Sequence, residues 1–194
     1  MARQAINLVR QVAPGQRLPV RRLKQAAAWV LDRHSVSPEA GLSIVVTEDE
    51  TVRQLNRQYR QVDAPTDVLS FPAGEADAPP GDEPPYLGDL ILALPTIQRQ
   101  AEREGHSVSD ELTLAVIHGT LHLLGYDHDT PARQAAMWAA QAEALLAMGV
   151  SIRVPEFEFP ADAEPDSAAL APFWSTGSRH APASRWLAMS RARP

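Results

Sequence analysis

The sequence predicts a single α+β domain in which helices pack against one mixed β-sheet of about four strands. Three observations support this fold class. The 194 residues are 44% apolar, which is enough for one domain with its own core. Short β-branched runs alternate with segments of helical periodicity as far as residue 148. The composition then changes, because residues 155–194 are rich in Pro, Ala and Ser without sustained periodicity. We therefore assign residues 1–154 to the folded domain and expect a disordered tail over 155–194.

The first third of the chain predicts two strand–helix pairs. Pro19 occupies a position where a helix can begin, and Thr47 followed three residues later by Glu50 forms a capping-box pattern. The predicted elements are a strand over Ala5–Val12, a helix over Val20–His34, a strand over Leu42–Thr47 and a helix that ends near Tyr59.

The rest of the domain predicts two more strands and three helices. Ser109 is a candidate cap for the most apolar helix, and Gly125 is placed to end it. The segment Ala73–Pro85, rich in Pro, Gly, Asp and Glu, predicts an exposed loop. The predicted elements are strands over Asp67–Phe71 and Tyr86–Leu94 and helices over Pro95–Glu104, Asp110–Leu124 and Pro131–Met148.

Several classes of protein are disfavoured by composition. No apolar run reaches the roughly 18 residues of a membrane span, so we expect no membrane association. The first eleven residues lack the apolar core of a secretory signal. The absence of cysteine excludes disulfides, thiolate metal sites and a cysteine nucleophile. These features predict a cytoplasmic protein.

The charge is unevenly distributed along the chain. The net charge of -6 argues against a general nucleic-acid binder. Residues 1–60, however, carry ten Lys and Arg against five Asp and Glu. This excess of cations is compatible with a basic face for phosphates and equally with a solvated helix surface.

A histidine motif carries the chemistry. His118 and His122, in HGTLHLLGYDH, are four residues apart and therefore lie one above the other on a helix. Gly125 can end that helix and turn the chain so that His128 reaches the same point. Three neutral imidazoles leave a fourth position open, which is the arrangement of a catalytic zinc site. Other divalent transition metals, such as nickel or copper, also suit imidazole ligands.

The spacing of this motif equals that of the metzincin pattern H-E-x-x-H-x-x-G-x-x-H with one departure. Gly119 occupies the position of the Glu that serves metalloproteases as general base. This departure favours a reaction other than peptide hydrolysis. Nearby, Asp127 and Asp129 are candidates to orient an imidazole or to act as a base. Asp89 is a charge in an apolar strand, which is compatible with a paired carboxylate and equally with a site residue.

Together with PTDVLSFP (65–72) and YLGDLIL (86–92), the histidine motif resembles the YbeY family of bacterial endoribonucleases. The resemblance implies a zinc-dependent RNase that prefers single strands, matures the 3′ end of small-subunit ribosomal RNA and contributes to ribosome quality control. Its implied partners are single-stranded or ribosomal RNA and the small ribosomal subunit, with no DNA expected. By this resemblance His118, His122 and His128 match the metal ligands, Arg60 matches an arginine used in activity, and Ser70 matches a motif position without an evident role.

The expected catalytic residues are Arg60, His118 and, as a possible base, Asp127. The planar guanidinium of Arg60 suits a phosphodiester oxygen. Whether water or the RNA 2′-OH is the nucleophile remains open. Two rival functions also remain: a metalloprotease that uses another carboxylate, and a metal-stabilised ribosome-assembly factor without turnover.

Overall fold

Four strands and five helices make up the computed structural model, which describes residues 5–74 and 85–152. They follow the predicted order, with boundaries that differ by one or two residues. The elements are β1 (Ala5–Arg10), α1 (Val20–Arg33), β2 (Gly41–Thr47), α2 (Asp49–Arg60), β3 (Val68–Pro72), β4 (Tyr86–Ala93), α3 (Leu94–Glu104), α4 (Val108–Leu123) and α5 (Pro131–Ala147).

The strands form one mixed sheet in the order β1-β2-β4-β3. The pairs β1–β2 and β2–β4 are parallel, whereas β3 runs antiparallel to β4. Strands that lie parallel need a crossover connection, and α1 and α2 lie within the two crossovers. The α+β class with a four-stranded mixed sheet is therefore confirmed.

The two faces of the sheet carry helices of different kinds. The main core lies between one face and helices α1, α4 and α5, and it contains Leu42, Ile44 and Leu90 from the strands. On the opposite face, Val52 of α2 packs with Leu69 of β3 in a smaller cluster. Because side chains alternate along a strand, Val68 and Ser70 face α4 whereas Leu69 and Phe71 face α2.

Helix α4 occupies the centre of the domain and contacts α1, α3, α5, β3 and β4. Its burial on nearly all sides explains why its sequence is apolar around most of its circumference. Four apolar side chains of this helix and of the residue that follows it are buried: Leu114, Ile117, Leu121 and Leu124.

Two predicted helix caps were wrong. The hydroxyl of Ser107, not of Ser109, accepts the Asp110 backbone N–H at 3.0 Å, because the helix begins two residues earlier than its apolar pattern suggests. Thr47 remains the last residue of β2, paired with Ala93, so Glu48 takes the cap position without a side-chain bond.

The predicted tail over 155–194 and residues 75–84 of the predicted loop lie outside the described residues. Among the described helices, none has both the length and the apolar character needed to cross a membrane.

Candidate metal centre

Helix α4 and the turn after it bring three histidine side chains together. His118 and His122 lie one helical turn apart, with ring centroids separated by 4.7 Å. Gly125 ends the helix with φ +86°, a left-handed conformation that glycine adopts at low cost. The chain then reverses, and the His128 ring lies 5.6 Å from that of His118 and 5.5 Å from that of His122.

Hydrogen bonds outside the cluster determine which ring nitrogens face its centre. The Nδ1 atom of His118 donates to Oε1 of Gln141 at 2.9 Å, and the Nδ1 atom of His122 donates to the Tyr126 carbonyl at 2.8 Å. A carbonyl or amide oxygen can only accept, so both Nδ1 atoms carry the proton. Each Nε2 atom therefore keeps its lone pair, and the two Nε2 atoms lie 3.1 Å apart.

The third histidine completes a donor set that fits a metal ion. Nε2 of His128 is buried and has no hydrogen-bond partner within the described part of the chain. One nitrogen from each of His118, His122 and His128 lies within 4.8 Å of the other two. Zinc–nitrogen bonds of 2.0–2.1 Å in a tetrahedron separate the nitrogens by roughly 3.3 Å, so small side-chain adjustments suffice. The three residues could thus hold a zinc ion or a similar metal.

Burial keeps the His122 and His128 imidazoles in the neutral form that binds metals. Desolvation, followed by the nearby His118 and His128, lowers the pKa of His122 well below its ordinary value. Burial also lowers the pKa of His128. His118 and His128 are only half-buried, so parts of these two residues are exposed to solvent.

This arrangement predicts how the metal-free protein responds to acid. An unfolded histidine takes up a proton near pH 6.5, whereas folded His122 stays neutral to lower pH. The unfolded state then binds more protons, so the free energy of unfolding should decrease as the pH falls below about 6.5 towards the folded pKa. Urea unfolding with a chelator present, from about pH 8 to pH 5, measures this slope. The slope should be shallower in His122→Ala, and an equal slope in both proteins would contradict the assignment.

Arg60, the last residue of α2, is a half-buried cation near the cluster. Gln61, with φ +61°, ends the helix, and the side-chain amide of Asn56 holds the following loop by donating to the Ala64 carbonyl at 2.8 Å. Burial lowers the pKa of Arg60, and its charge is one of the causes that lower the pKa of His122. Within residues 5–74 and 85–152, Arg60 forms no ion pair, so its guanidinium is available to bind an anion.

The three aspartates singled out in the sequence have different surroundings. Asp127 is buried and accepts the His128 backbone N–H at 2.7 Å, with Arg133 at 3.8 Å. Asp129 pairs with the same arginine at 3.1 Å. Asp89 accepts a hydrogen bond from the Tyr86 hydroxyl and lies on the sheet face opposite Leu90, away from α4. Of the three, Asp127 and Asp129 thus lie beside the cluster.

The position of Gly119 explains the departure from the metalloprotease pattern. A Cβ atom at this position would lie 2.8 Å from Leu90 Cδ2 and 3.1 Å from Ser70 Oγ. The helix lies so close to the sheet here that the Ser70 hydroxyl donates to the Gly119 carbonyl at 3.2 Å. A glutamate at position 119 would have to enter the core between α4 and the sheet. Ser70, which had no evident role in the sequence, links β3 to the histidine helix.

We expect Gly119→Ala to destabilise the protein without removing its metal. Overpacking costs about 1–3 kcal/mol, and the better helix propensity of alanine offsets about 1 kcal/mol of that. Thermal unfolding of the metal-free protein tests the loss of stability. The zinc content of the purified variant tests whether the metal is retained. Leu90→Val should lower the free energy of unfolding by less in the Gly119→Ala background than in wild type, because it relieves the 2.8 Å contact. A stabilised Gly119→Ala variant would show that the sheet does not constrain this position.

Two residues of α5 at the cluster were missed by the sequence reasoning. Gln141 is fully buried beside His118, and the Trp138 ring lies 5.2 Å from that of His128. The available signal was a pair of glutamines, Gln134 and Gln141, seven residues apart on an alanine-rich helix, which places them on one face. That spacing shows a shared face but does not identify the element that the face contacts.

Comparisons with known proteins point to one family. A family model described as endoribonuclease YbeY matches residues 14–149. The chain is 50% identical over 140 residues to the endoribonuclease YbeY of Moorella thermoacetica, covering 68% of this chain and 85% of that protein. It is 42% identical to the protein of the same name from Geobacillus thermodenitrificans, covering 66% and 83%. The solution structure of TM1509 from Thermotoga maritima matches with a TM-score of 0.52 and 25% identity, over 74% of this chain and 88% of that one.

Proposed function

This chain belongs to the endoribonuclease YbeY family, and from that membership and its histidine cluster we propose a zinc-dependent endoribonuclease that prefers single-stranded RNA. Its proposed role is maturation of the 3′ end of small-subunit ribosomal RNA and ribosome quality control. The observation that carries the proposal is the convergence of one imidazole nitrogen from each of His118, His122 and His128, with the charge of Arg60 acting on His122.

Zinc is the proposed metal because three imidazoles that leave a fourth position open are the arrangement of a catalytic zinc site. Zinc held by three histidines supplies a Lewis acid for a phosphoryl oxygen and makes water more acidic. The chain itself contributes the orientation of the ligands through Gln141 and the Tyr126 carbonyl. The half-buried positions of His118 and His128 leave an approach for the substrate.

Arg60 is the proposed phosphate-binding residue. Its guanidinium is partly desolvated and unpaired among the described residues, and it influences His122 electrostatically. A planar guanidinium can donate two parallel hydrogen bonds to the phosphate oxygens. Because negative charge develops on the phosphate during cleavage, this interaction strengthens in the transition state.

Asp127 is the proposed general base if water is the nucleophile. Its Oδ1 holds the His128 amide, while Oδ2 lies 3.8 Å from Arg133 and makes a weaker contact. The contact with His128 gives it a second role in orienting the ligand turn. Peptide hydrolysis is disfavoured, because the position of the protease base, Gly119, faces the sheet.

RNA is the proposed partner, with ribosomal RNA and the small ribosomal subunit as the setting. We place this activity in the cytoplasm, since the chain contains no cysteine that oxidation could cross-link and RNA is its proposed substrate.

Cleavage of 5′-labelled single-stranded RNA and of the matching duplex tests the proposal. We expect the single strand to be cut, the duplex to be resistant, and chelation followed by zinc to abolish and restore cleavage. Precursor small-subunit RNA should be cut near the mature 3′ end. Products with 2′,3′-cyclic phosphate ends would exclude water as the nucleophile. A zinc-loaded protein that cuts neither the single-stranded RNA nor the precursor RNA would refute the nuclease. Zinc-dependent cleavage of casein would favour the protease.

A further inference from the structure

We propose that Gln141 is a positioning residue of the metal centre, whose amide oxygen holds His118 in the tautomer that directs its Nε2 lone pair into the cluster. The proposal rests on the proposed function only in taking the three histidines as metal ligands. It assigns to α5, which supplies none of those ligands, a direct influence on metal affinity.

The geometry connects Gln141 to His118 and to no other described hydrogen-bond partner. The side chain is fully buried on α5, and its Oε1 accepts from His118 Nδ1 at 2.9 Å. Its Nε2 has no partner in the described part of the chain. A buried polar side chain normally satisfies its hydrogen-bonding groups. The hydrogen bond to His118 therefore offsets part of the desolvation cost of burying this amide.

The direction of the amide decides whether His118 can bind a metal. With Oε1 towards the ring, Nδ1 carries the proton and Nε2 carries the lone pair that can bind a metal. If the amide turned over, its NH₂ group would donate to a bare Nδ1, and the ring proton would move to Nε2. That proton would point at His122 Nε2, which lies 3.1 Å away. Metal binding and the observed amide direction therefore stabilise each other.

An amide at this position gives a weaker bond than a carboxylate would. A carboxylate acceptor forms a charge-assisted hydrogen bond that is roughly twice as strong and makes the imidazole a better ligand. It would also bury a negative charge in the metal-free protein, which is costly. Gln141 thus orients His118 while leaving the buried environment neutral.

Trp138 also packs α5 against the histidine cluster. Residues 138 and 141 lie three apart and therefore on one side of α5. The Trp138 ring lies 5.2 Å from that of His128 and 6.2 Å from that of His118. This packing limits movement of both rings and keeps α5 close enough for the Gln141 bond.

Zinc affinity of the full-length protein, measured by competition with a chromogenic chelator, tests the proposal independently of RNA cleavage. Gln141→Leu removes the acceptor at similar size and should weaken zinc binding roughly 10–100-fold. Gln141→Glu restores a stronger acceptor and should bind zinc about tenfold more tightly than wild type. The absorption spectrum of the cobalt-substituted protein should change in Gln141→Leu, because the orientation of one ligand changes.

Gln134→Leu is the matched control. Gln134 lies on the same helix and also has a buried Nε2 without a partner among the described residues. This variant should keep wild-type zinc affinity and the wild-type cobalt spectrum. Unfolding of each metal-free variant shows whether it is folded. If Gln141→Leu fails to fold, Gln141→Glu decides: a folded Gln141→Glu that loses zinc overturns the proposal.

Two failures are distinguishable. If Gln141→Leu binds zinc as tightly as wild type with an unchanged cobalt spectrum, the role of Gln141 is refuted and the proposed function stands. If the wild-type protein itself binds neither zinc nor cobalt, the metal centre is refuted, and the role of Gln141 with it.

Discussion

Replacing His122 with alanine is expected to abolish both zinc binding and RNA cleavage. His122 is the most buried of the three histidines, and its Nε2 lies 3.1 Å from that of His118. A catalytic zinc site with three protein ligands loses most of its affinity when one is removed, because the two that remain bind zinc far more weakly. Metal analysis should find about one zinc per wild-type chain and almost none in the variant. Cleavage of labelled single-stranded RNA should fall to background.

His106→Gln is the control for this experiment. His106 lies outside the cluster and contacts Glu111 at 3.1 Å, and glutamine can still donate to that carboxylate. This variant should retain zinc and activity. Full zinc content in His122→Ala would contradict the ligand assignment. A wild-type protein that holds zinc but leaves RNA intact would instead favour an assembly factor or a protease.

Replacing Arg60 with alanine is expected to reduce RNA cleavage about 100–1,000-fold while zinc content stays at the wild-type value. The guanidinium has no ion-pair partner among the described residues, and its charge acts on His122 electrostatically. Its removal therefore takes away charge stabilisation at the phosphate and leaves the three ligands in place. Single-turnover cleavage with saturating enzyme separates this effect from weaker RNA binding.

Two further variants sharpen the test. Arg60→Lys keeps the charge without the planar fork and should give intermediate activity. Arg57→Ala removes an exposed cation one turn earlier on α2 and should have a small effect. A loss of zinc in Arg60→Ala would show that this arginine supports the metal cluster instead of binding the phosphate. Equal losses in the Arg57 and Arg60 variants would indicate a general electrostatic attraction for RNA.

The sequence by itself determined the features that depend on local periodicity. Alternation and helical spacing predicted four strands and five helices in their order, because each pattern repeats within a few residues. The i, i+4 spacing of His118 and His122 and the turn at Gly125 predicted that His128 would join them. These relations are set by the geometry of one helix and one turn, so no distant part of the chain is needed to infer them.

Only the tertiary structure decided which distant residues meet the cluster. Gly119 looked like a missing catalytic base, but the packing of α4 against Leu90 and Ser70 determines that position. Gln141 reaches His118 from 23 residues further along the chain. Contacts of this kind depend on how whole elements pack, since burial in the core is a property of the assembled sheet and helices. No periodicity within a single segment contains that information.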